Sequence, residues 1–327
     1  MTWIVLSLLI GCKPAKEVVT IGSVERLDPS LDQIISPDAK PEVLADGFTW
    51  SEGPVWVESQ KMLLFSDVPQ DTVYKWTEEK GKEVYLTPSG YTGSSPSTSR
   101  ERGSNGLLIN AKGQLVLCQH GDRRVAIMNA TLDHPAPDYT TIVDNYHGKK
   151  FDSPNDAVLD SKGNLYLTDP PYGLGGMEKD PLKEAPYQGV YKITPEGKVY
   201  LLVDTLTKPN GIALSPDQKS LFVANSDPQR ARWYQFELGD TSVTSGKVFY
   251  DMTIHDPADK GGPDGFKIDK NGVVFASGPG GIVIFSPGGK LIGRIKLPEA
   301  TANCALSTDE RTLYITSDSH LLRLKMR

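Results

Sequence analysis

The sequence predicts an all-β protein in the form of a six-bladed β-propeller. Short segments of alternating apolar and polar residues recur along the 327 residues, each followed by a turn rich in Gly, Asp, Asn or Lys and by a second apolar run. That pattern is the signature of a β-hairpin. The chain also contains 31 Gly and 24 Pro, which suits a protein with many turns, and 38% hydrophobic residues, enough for a sizeable core.

The hairpins form six repeats, and the repeats indicate the number of blades. The residue at the start of the first strand marks each repeat. These ring positions are Glu52, Asn105, Asn155, Asn210, Asp264 and Ala302. Repeats of about 40 to 50 residues, each able to supply a four-stranded sheet, are typical of propeller blades. A pair of β-sandwiches is the competing architecture, but it does not explain the regular spacing.

The two ends of the chain are expected to close the ring together. The last repeat reaches HLLRLKMR at residue 327, and the earlier stretch KPEVLADGF supplies a strand that can complete the final blade. A closed ring has no exposed sheet edges that invite aggregation. We therefore assign residues 39–327 to the propeller, and residues 13–38 to a leader or short helix packed outside the ring.

The first residues differ from the rest. MTWIVLSLLIGCKPAKE is a short apolar run followed by Cys12 and then by charged residues and Pro. The run is too short to span a bilayer as a helix, and small residues before a Cys resemble a bacterial lipoprotein signal. Residues 1–12 are thus interpreted as a signal peptide ending at a lipidated Cys12, with export to the periplasm or anchoring to a membrane. An ordinary apolar tail is the alternative.

Charge and motifs argue against several functional classes. Lys and Arg total 35 and Asp and Glu total 41, for a net charge of −6 without any basic block, so no nucleic-acid partner is expected. The sequence has no Gly-rich phosphate loop, no Cys/His zinc pattern and no Gly-x-Ser-x-Gly motif, which argues against a serine hydrolase. Cys118 and Cys304 lie in apolar stretches and are expected to be buried thiols.

The ring positions suggest a metal site. The innermost strand of each blade runs along the central channel, so equivalent residues of successive repeats lie on one ring around the axis. Five of the six positions bear side-chain oxygens, which are the hard ligands that Ca²⁺ and Mg²⁺ prefer. A cation would also offset the repulsion between the two carboxylates. The alternative is that Asn-Gly and Asp-Gly are simply turn pairs, although Glu52 is not a favoured turn former.

Five stretches, spread over roughly residues 24–327, resemble a known family. They are GFTWSEGPVW, SNGLLINAKGQLVLCQHGDRRV, SPNDAVLDSKGNLYLTDPPYGL, KPNGIALSPD and PDGFKID. Together they are similar to the gluconolactonase, regucalcin and luciferin-regenerating-enzyme family, and within it to the bacterial gluconolactonase branch. The resemblance implies a six-bladed propeller with one divalent cation in the channel, usually Ca²⁺, with Mg²⁺, Zn²⁺ and Mn²⁺ as other options.

The same resemblance implies roles for individual residues. The metal ligands are expected to be Glu52, Asn155, Asn210 and Asp264. Asn105 shares their ring as a further ligand or a substrate contact, and Asn155 is also a candidate substrate contact. Regucalcin has a sugar-contacting Arg two residues before the position of Asn155, where this chain has Ser153. A regucalcin-like substrate pose is therefore not expected.

The family resemblance implies hydrolysis of small lactones such as gluconolactone. A bound cation would polarise the lactone carbonyl, and a general base must deprotonate the attacking water. Asp264 is the first candidate base and Glu52 the second. Because a metal-bound carboxylate is a poor base, His120 is a third candidate, unless it is a strand-end His bonded to backbone. Asp169 and Tyr172, in TDPPYG, are candidates for substrate binding at the pocket mouth, unless they only form a rigid turn.

Two other functions stay open. The same metal ring would serve a phosphotriesterase-type hydrolase, since the family includes diisopropyl fluorophosphatase. A propeller that binds a sugar or a partner without catalysis, and uses Ca²⁺ for rigidity, is the third option. A mere scaffold would not need all four matched ligands, which favours catalysis.

Overall fold

The computed structural model describes residues 18–95 and 97–327, and it contains six antiparallel sheets of four or five strands. The predicted six-bladed propeller is thus confirmed. The blades are numbered here by their ring positions, from blade 1 with Glu52 to blade 6 with Ala302. Residues 1–17 lie outside the described residues, and with them the predicted signal peptide and Cys12.

The strands of each blade are given from the axis outward. Blade 1 consists of Ser51–Val57, Met62–Asp67, Thr72–Thr77 and Gly81–Leu86. Blade 2 consists of Ser104–Ile109, Leu115–Gln119, Arg124–Met128 and Tyr139–Val143. Blade 3 consists of Ala157–Leu159, Leu165–Asp169, Gly189–Ile193 and Val199–Val203.

The second half of the ring repeats this arrangement. Blade 4 consists of Pro209–Leu214, Ser220–Asn225, Arg232–Leu238 and Val243–Asp251. Blade 5 consists of Phe266–Ile268, Val274–Gly278, Gly281–Phe285, Leu291–Lys296 and Ser23–Arg26. Blade 6 consists of Thr301–Leu306, Thr312–Ser317, His320–Lys325 and Glu42–Asp46.

Short elements fill the connections. Asn145–Tyr146 pairs with Lys149–Lys150 in a small hairpin. Four 3-10 helices are present in the described residues, at Pro29–Gln33, Glu58–Gln60, Met177–Lys179 and Pro228–Arg230. No helix in the described part of the chain has the length and apolar character needed to cross a membrane.

The core consists of six clusters of buried side chains, one at each interface between neighbouring blades. Between blades 3 and 4, for example, Val190 and Tyr166 pack with Leu221 and Val223. Each sheet is therefore apolar on both faces, because each face contacts another blade, and burial of this apolar surface is the main stabilising contribution. Cys118 and Cys304 lie in two of these clusters as free, buried thiols, as predicted.

Strands from both ends of the chain close the ring, as predicted. Glu42–Asp46 pairs antiparallel with His320–Lys325, so the outermost strand of blade 6 comes from the N-terminal part of the chain. The inner strands of blades 6 and 1 contact each other, as do those of every other neighbouring pair around the axis.

The segment before residue 39, expected to be a leader or short helix outside the ring, contributes a strand and two core residues. Ser23–Arg26 pairs with Leu291–Lys296 and gives blade 5 a fifth strand, rather than lying outside the ring. The 3-10 helix that follows places Leu31, and just beyond it Ile35, in the core between blades 5 and 6, where both are fully buried. These two apolar side chains explain the placement, because burying them removes apolar surface from water.

Candidate active site

The ring positions lie at the same end of their inner strands. Glu52, Asn105 and Asn210 are the second residues of theirs, whereas Asn155 and Asp264 lie just before theirs. None of these five lies in a hairpin turn, so the alternative that the Asn-Gly and Asp-Gly pairs are turns is wrong. Both members of each pair belong to the inner strand or its immediate approach.

The Gly after a ring residue is needed because the neighbouring blade approaches closely. A Cβ on Gly53 would lie 2.0 Å from the carbonyl oxygen of Asn105, and one on Gly211 would lie 2.2 Å from that of Asp264. Real Cβ atoms do not make such contacts, so any side chain at these two positions would push adjacent blades apart. The small residue thus sets how closely the ring positions converge.

Hydroxyl groups hold the main chain of alternate ring positions. Ser66 Oγ donates to the carbonyl of Asn105 at 2.9 Å, and Thr168 Oγ1 donates to that of Asn210 at 2.6 Å. Ser277 Oγ donates to the carbonyl of Ala302 at 2.9 Å. Each donor belongs to the second strand of the preceding blade, so blades 1, 3 and 5 fix the ring residues of blades 2, 4 and 6.

Asp169 holds the backbone that leads to Asn155. Its carboxylate accepts hydrogen bonds from the N–H groups of Asp152, at 2.9 Å, and Ser153, at 2.7 Å. Asp67 makes the equivalent pair of bonds in blade 1. Asp169 is buried and does not line the central cavity, so the structure does not bring it to the pocket mouth. Burial, with the nearby charge of Asp152, raises the pKa of Asp169 to about 8.

A cavity of about 130 Å³ opens at the ring. It is lined by Trp50, Glu52, Glu101, Asn105, Asn155, Tyr172, Asn210, Ser226 and Asp264. The structure therefore brings together all five oxygen-bearing ring residues, and Tyr172 lines the same cavity. Sequence reasoning missed Trp50, Glu101 and Ser226, of which only Trp50 stands within a motif that carried the family resemblance.

Four ring oxygens in this cavity have no partner. The Oδ1 atoms of Asn105, Asn155, Asn210 and Asp264 are buried and accept no hydrogen bond from the described residues. Buried polar atoms are nearly always satisfied, and each unsatisfied one costs free energy. A cation with oxygen ligands would satisfy all four, so the donor set fits a hard divalent ion.

Neighbouring groups orient the ring side chains. The amide Nδ2 of Asn210 donates to Ser226 Oγ at 2.9 Å, and Ser226 Oγ donates to the carbonyl of Pro263 at 2.5 Å. This chain uses the amide nitrogen of Asn210 and leaves its oxygen free. Glu52 Oε2 accepts from the N–H of Gly53 at 2.5 Å and from Asn303 Nδ2 at 3.1 Å.

The sixth ring position is completed by the residue after Ala302. Ala302 has no side-chain oxygen, but the adjacent Asn303 reaches Glu52 and accepts from Lys267 Nζ at 3.3 Å. A Cβ on Gly265 would lie 1.9 Å from the amide carbon of Asn303, so a Gly is required to make room for that side chain. Asn303 therefore links Glu52 to a lysine, a connection that the sequence did not predict.

The cavity gathers negative charge. Burial raises the pKa of Glu52 to about 7, helped by the carboxylate of Asp156. Burial also raises the pKa of Asp264 well above its usual value, with Glu52, Glu101 and Asp156 adding to the effect. Asp156 stands where four other repeats have Gly. Because each carboxylate disfavours ionisation of the others, a bound cation would stabilise the charged cluster.

His120 is not part of the cavity wall. Its side chain is fully buried, and both ring nitrogens lack a hydrogen-bond partner among the described residues. Nδ1 lies 3.7 Å from Oε2 of Glu101, which lines the cavity, whereas His120 does not. Burial lowers the pKa of His120 to about 4, so the neutral form prevails at neutral pH. The structure thus places His120 behind Glu101 rather than at the site of reaction.

A metal ion held at this site would rely partly on amide oxygens. The described residues contain no cluster of three or more His, Cys, Asp or Glu side chains arranged to hold a metal ion. The ring offers two carboxylates and three amides instead, a set that suits Ca²⁺ better than softer ions.

A larger groove of about 620 Å³ lies by the hairpin turns of blades 2 and 3. There the Oδ1 atoms of Asn110 and Asp160 already accept backbone hydrogen bonds.

Comparison with known proteins identifies the family of this chain. Residues 50–319 match the SMP-30/Gluconolactonase/LRE-like region. The chain belongs to this family. It is 37% identical to a gluconolactonase of Zymomonas mobilis subsp. mobilis over 314 residues, which covers 94% of this chain and 87% of that protein.

Solved structures of family members have the same fold. A gluconolactonase from Xanthomonas campestris superposes with a TM-score of 0.81 at 29% identity, over 96% of this chain and 99% of that one. Regucalcin from Agrobacterium tumefaciens, a calcium-binding protein, superposes with a TM-score of 0.67. Its identity is 18%, over 86% of this chain and 92% of that one, so it supports the propeller fold alone.

Proposed function

We propose that this family member opens sugar lactones such as gluconolactone with the help of a divalent cation, Ca²⁺ in the first instance. The observation that carries the proposal is the convergence, beside Glu52 in one small cavity, of four buried oxygens that accept no hydrogen bond from the described residues. A gluconolactonase-like lactone hydrolase is the activity that family membership and the 37% identity to the Zymomonas protein support.

The cation would be held by side chains that the fold already orients. Glu52, Asn155, Asn210 and Asp264 are the proposed ligands, with Asn105 as a fifth. When bound, the ion would supply positive charge to neutralise the buried carboxylates and to polarise an ester carbonyl. Ser226 keeps the Asn210 oxygen aimed into the cavity, and Asn303 holds one oxygen of Glu52.

The substrate would occupy the space above the ring. Trp50 and Tyr172 supply aromatic walls, which suit the apolar face of a sugar ring. A second cavity of about 240 Å³ shares Ser226 and Asp264 with the first and extends towards His255. Together the two cavities provide room for a small lactone and for the attacking water.

The test is hydrolysis of a panel of sugar lactones, simple lactones and phosphotriesters, with added Ca²⁺ and with chelator. We expect turnover of a sugar lactone well above the spontaneous rate, its loss with chelator, and its loss in Asp264→Asn. Asp269→Asn, at the far end of the same inner strand, is the matched control and should stay active. No turnover of any lactone would overturn the hydrolase assignment, and full activity with chelator would overturn the role of the cation. Preferential turnover of a phosphotriester would favour the alternative of a phosphotriesterase-type hydrolase.

We also propose export as a lipoprotein, on the sequence pattern before Cys12. The test compares membrane fractions of cells that express the native chain or Cys12→Ser. We expect the native protein in the membrane fraction and the variant outside it. Equal distribution of the two would exclude a lipid anchor at this residue.

A further inference from the structure

One carboxylate in the cavity has no role in the ring. Glu101 lies in the loop between blades 1 and 2, outside the repeated register, and its side chain lines the cavity beside Glu52 and Asp264. About a third of its side chain is exposed, which leaves the carboxylate accessible to a molecule in the cavity.

The loop that carries Glu101 is attached to the propeller near both of its ends. At its start, Asp71 Oδ1 accepts hydrogen bonds from the N–H groups of Ser89, at 2.9 Å, and Gly90, at 2.7 Å. At its end, the N–H of Gly103 donates to the carbonyl of Val68 at 2.8 Å. Next to Glu101, the carbonyl of Arg102 accepts from Gly121 at 3.1 Å. The position of Glu101 is therefore fixed by blades 1 and 2.

The surroundings of Glu101 keep its carboxylate basic. Among the described residues, none donates a hydrogen bond to either carboxylate oxygen. The ionisable groups around it are His120, whose Nδ1 lies 3.7 Å from Oε2, and Glu52, Tyr172 and Asp264, which line the same cavity. Desolvation in the cavity raises the pKa of Glu101 above its usual value, which makes it a stronger base than an ordinary carboxylate.

The other candidate bases are already committed or do not reach the cavity. Glu52 and Asp264 belong to the proposed cation ligands, and a carboxylate bound to a cation is a weak base. His120 and Asp169 do not line the cavity. Of the carboxylates lining it, Glu101 alone is free to accept a proton.

We propose that Glu101 is the general base of the reaction, an inference that rests on the lactone hydrolase function proposed above. As the oxygen of water bonds to the acyl carbon, Glu101 accepts the proton that the water loses. The bond between the acyl carbon and the ring oxygen then breaks, and Glu101 returns that proton to the departing oxygen. The products are the hydroxy acid and an unprotonated Glu101, ready for another turnover.

The test uses Glu101→Gln, which keeps the size of the side chain and removes its basicity. We expect kcat for the best lactone to fall by roughly 10² to 10⁴-fold. Calcium affinity, measured by calorimetric titration, should fall much less than kcat, since this substitution removes one nearby charge but leaves the ring ligands in place. Glu79→Gln, on an exposed turn of blade 1, is the matched control and should leave both quantities unchanged.

A second variant separates catalysis from structure. Glu101→Ala should regain activity when formate or azide is added, because a small external base can enter the space that the side chain left. A Glu101→Gln protein with kcat within threefold of native would overturn the proposal, and so would loss of calcium binding in that variant or failure of the external bases to raise the rate of Glu101→Ala. If the native chain opens no lactone, the proposed function fails, and that result is distinct from an active chain whose Glu101→Gln variant is equally fast.

Discussion

The two ends of the inner strands use the same residue types for opposite purposes. In blades 2, 3 and 5 an Asn or Asp stands at each end, five residues apart: Asn105 and Asn110, Asn155 and Asp160, Asp264 and Asp269. At the hairpin end, Oδ1 of Asp160 accepts from the N–H groups of Lys162 and Asn164, at 2.9 and 2.8 Å. At the cavity end, Oδ1 of Asn155 accepts nothing among the described residues.

The hairpin end of the inner strands contributes to stability, whereas the cavity end is available for function. The hairpin oxygens are satisfied by their own turns, so they stabilise the folded chain locally. The cavity oxygens accept no such hydrogen bonds from the described residues, although neighbouring backbone lies close to the adjacent glycines. That arrangement costs free energy in the metal-free protein and is available to a ligand. Residue type alone does not distinguish the two ends.

The strongest test replaces one acid at each end of the same strand. Asp264→Ala should lower lactone turnover by at least roughly 10³-fold and abolish calcium binding, because it removes a proposed cation ligand. Asp269→Ala should keep both properties but lose about 1 to 2 kcal/mol of stability, since Asp269 accepts from Asn271 and Val273. Rate assays, calorimetry and urea unfolding measure these effects. Equal losses of activity in the two variants would show that the cavity end and the hairpin end of the strand do not differ in function.

The free energy of unfolding of the chelated protein should depend on pH through the cavity acids. Because the folded pKa of Glu52 is about 7, above its usual 4.5, the folded state binds more protons than the unfolded state between those values. Stability therefore falls as pH rises from about 4.5 through 7, by up to about 3 kcal/mol from this group. Saturating Ca²⁺ should remove the decline.

Glu52→Gln is the variant that isolates this contribution. Asp169 has a raised pKa of the same sign but stays in both proteins, so the difference between the native and variant curves reports Glu52 together with its effect on Asp264. We expect the chelated variant to be more stable than the native chain at pH 8 and equally stable at pH 4. Parallel curves for the two proteins would show that Glu52 is not the group responsible.

A smaller loss of calcium affinity is expected when Asn303, which contacts the ring residue Glu52, is replaced. Asn303→Ala removes the donor to Oε2 of Glu52 and the acceptor for Lys267. Partners that orient metal ligands typically contribute about 10 to 100-fold in affinity, and we expect the lower end here, because Gly53 still donates to Glu52. Calcium titration of the folded variant measures it. Unchanged affinity would mean that Asn303 only fills space.

The smallest effect belongs to the hairpin end of blade 3. Asp160→Ala should cost about 1 kcal/mol of stability through two lost backbone hydrogen bonds. Lactone turnover and calcium affinity should match the native chain. Any loss of metal binding in this variant would show that the two ends of the strand are coupled.

The repeat allowed much of this architecture to be predicted from the sequence. Six hairpins in one register predicted the propeller, its closure and the positions that converge on the axis, because a ring of equivalent blades brings equivalent residues together. Glu101 escaped prediction because it lies in a loop outside that register. Tyr172 also lies in a loop and lines the cavity, and its role in substrate binding stays a prediction.

Individual side-chain roles were harder to predict than positions. His120 and Asp169 both end second strands or follow them closely, and nothing in their local sequence shows which way the side chains point. The structure buries both, and Asp169 accepts hydrogen bonds from the backbone that leads to Asn155. Asn303 was missed because its neighbour Ala302 occupies the ring position, and the link to Glu52 spans 251 residues of sequence.

The way blade 6 is closed has a consequence for the order of synthesis. Glu42–Asp46 is synthesised before the other three strands of blade 6, and the strand it pairs with in that sheet, His320–Lys325, is synthesised after every other strand of the described residues. Ser23–Arg26 likewise precedes its partner Leu291–Lys296 by the whole of blades 1 to 4. Both strands are therefore made long before the strands they pair with, and a product that stops short of residue 320 keeps blade 6 incomplete.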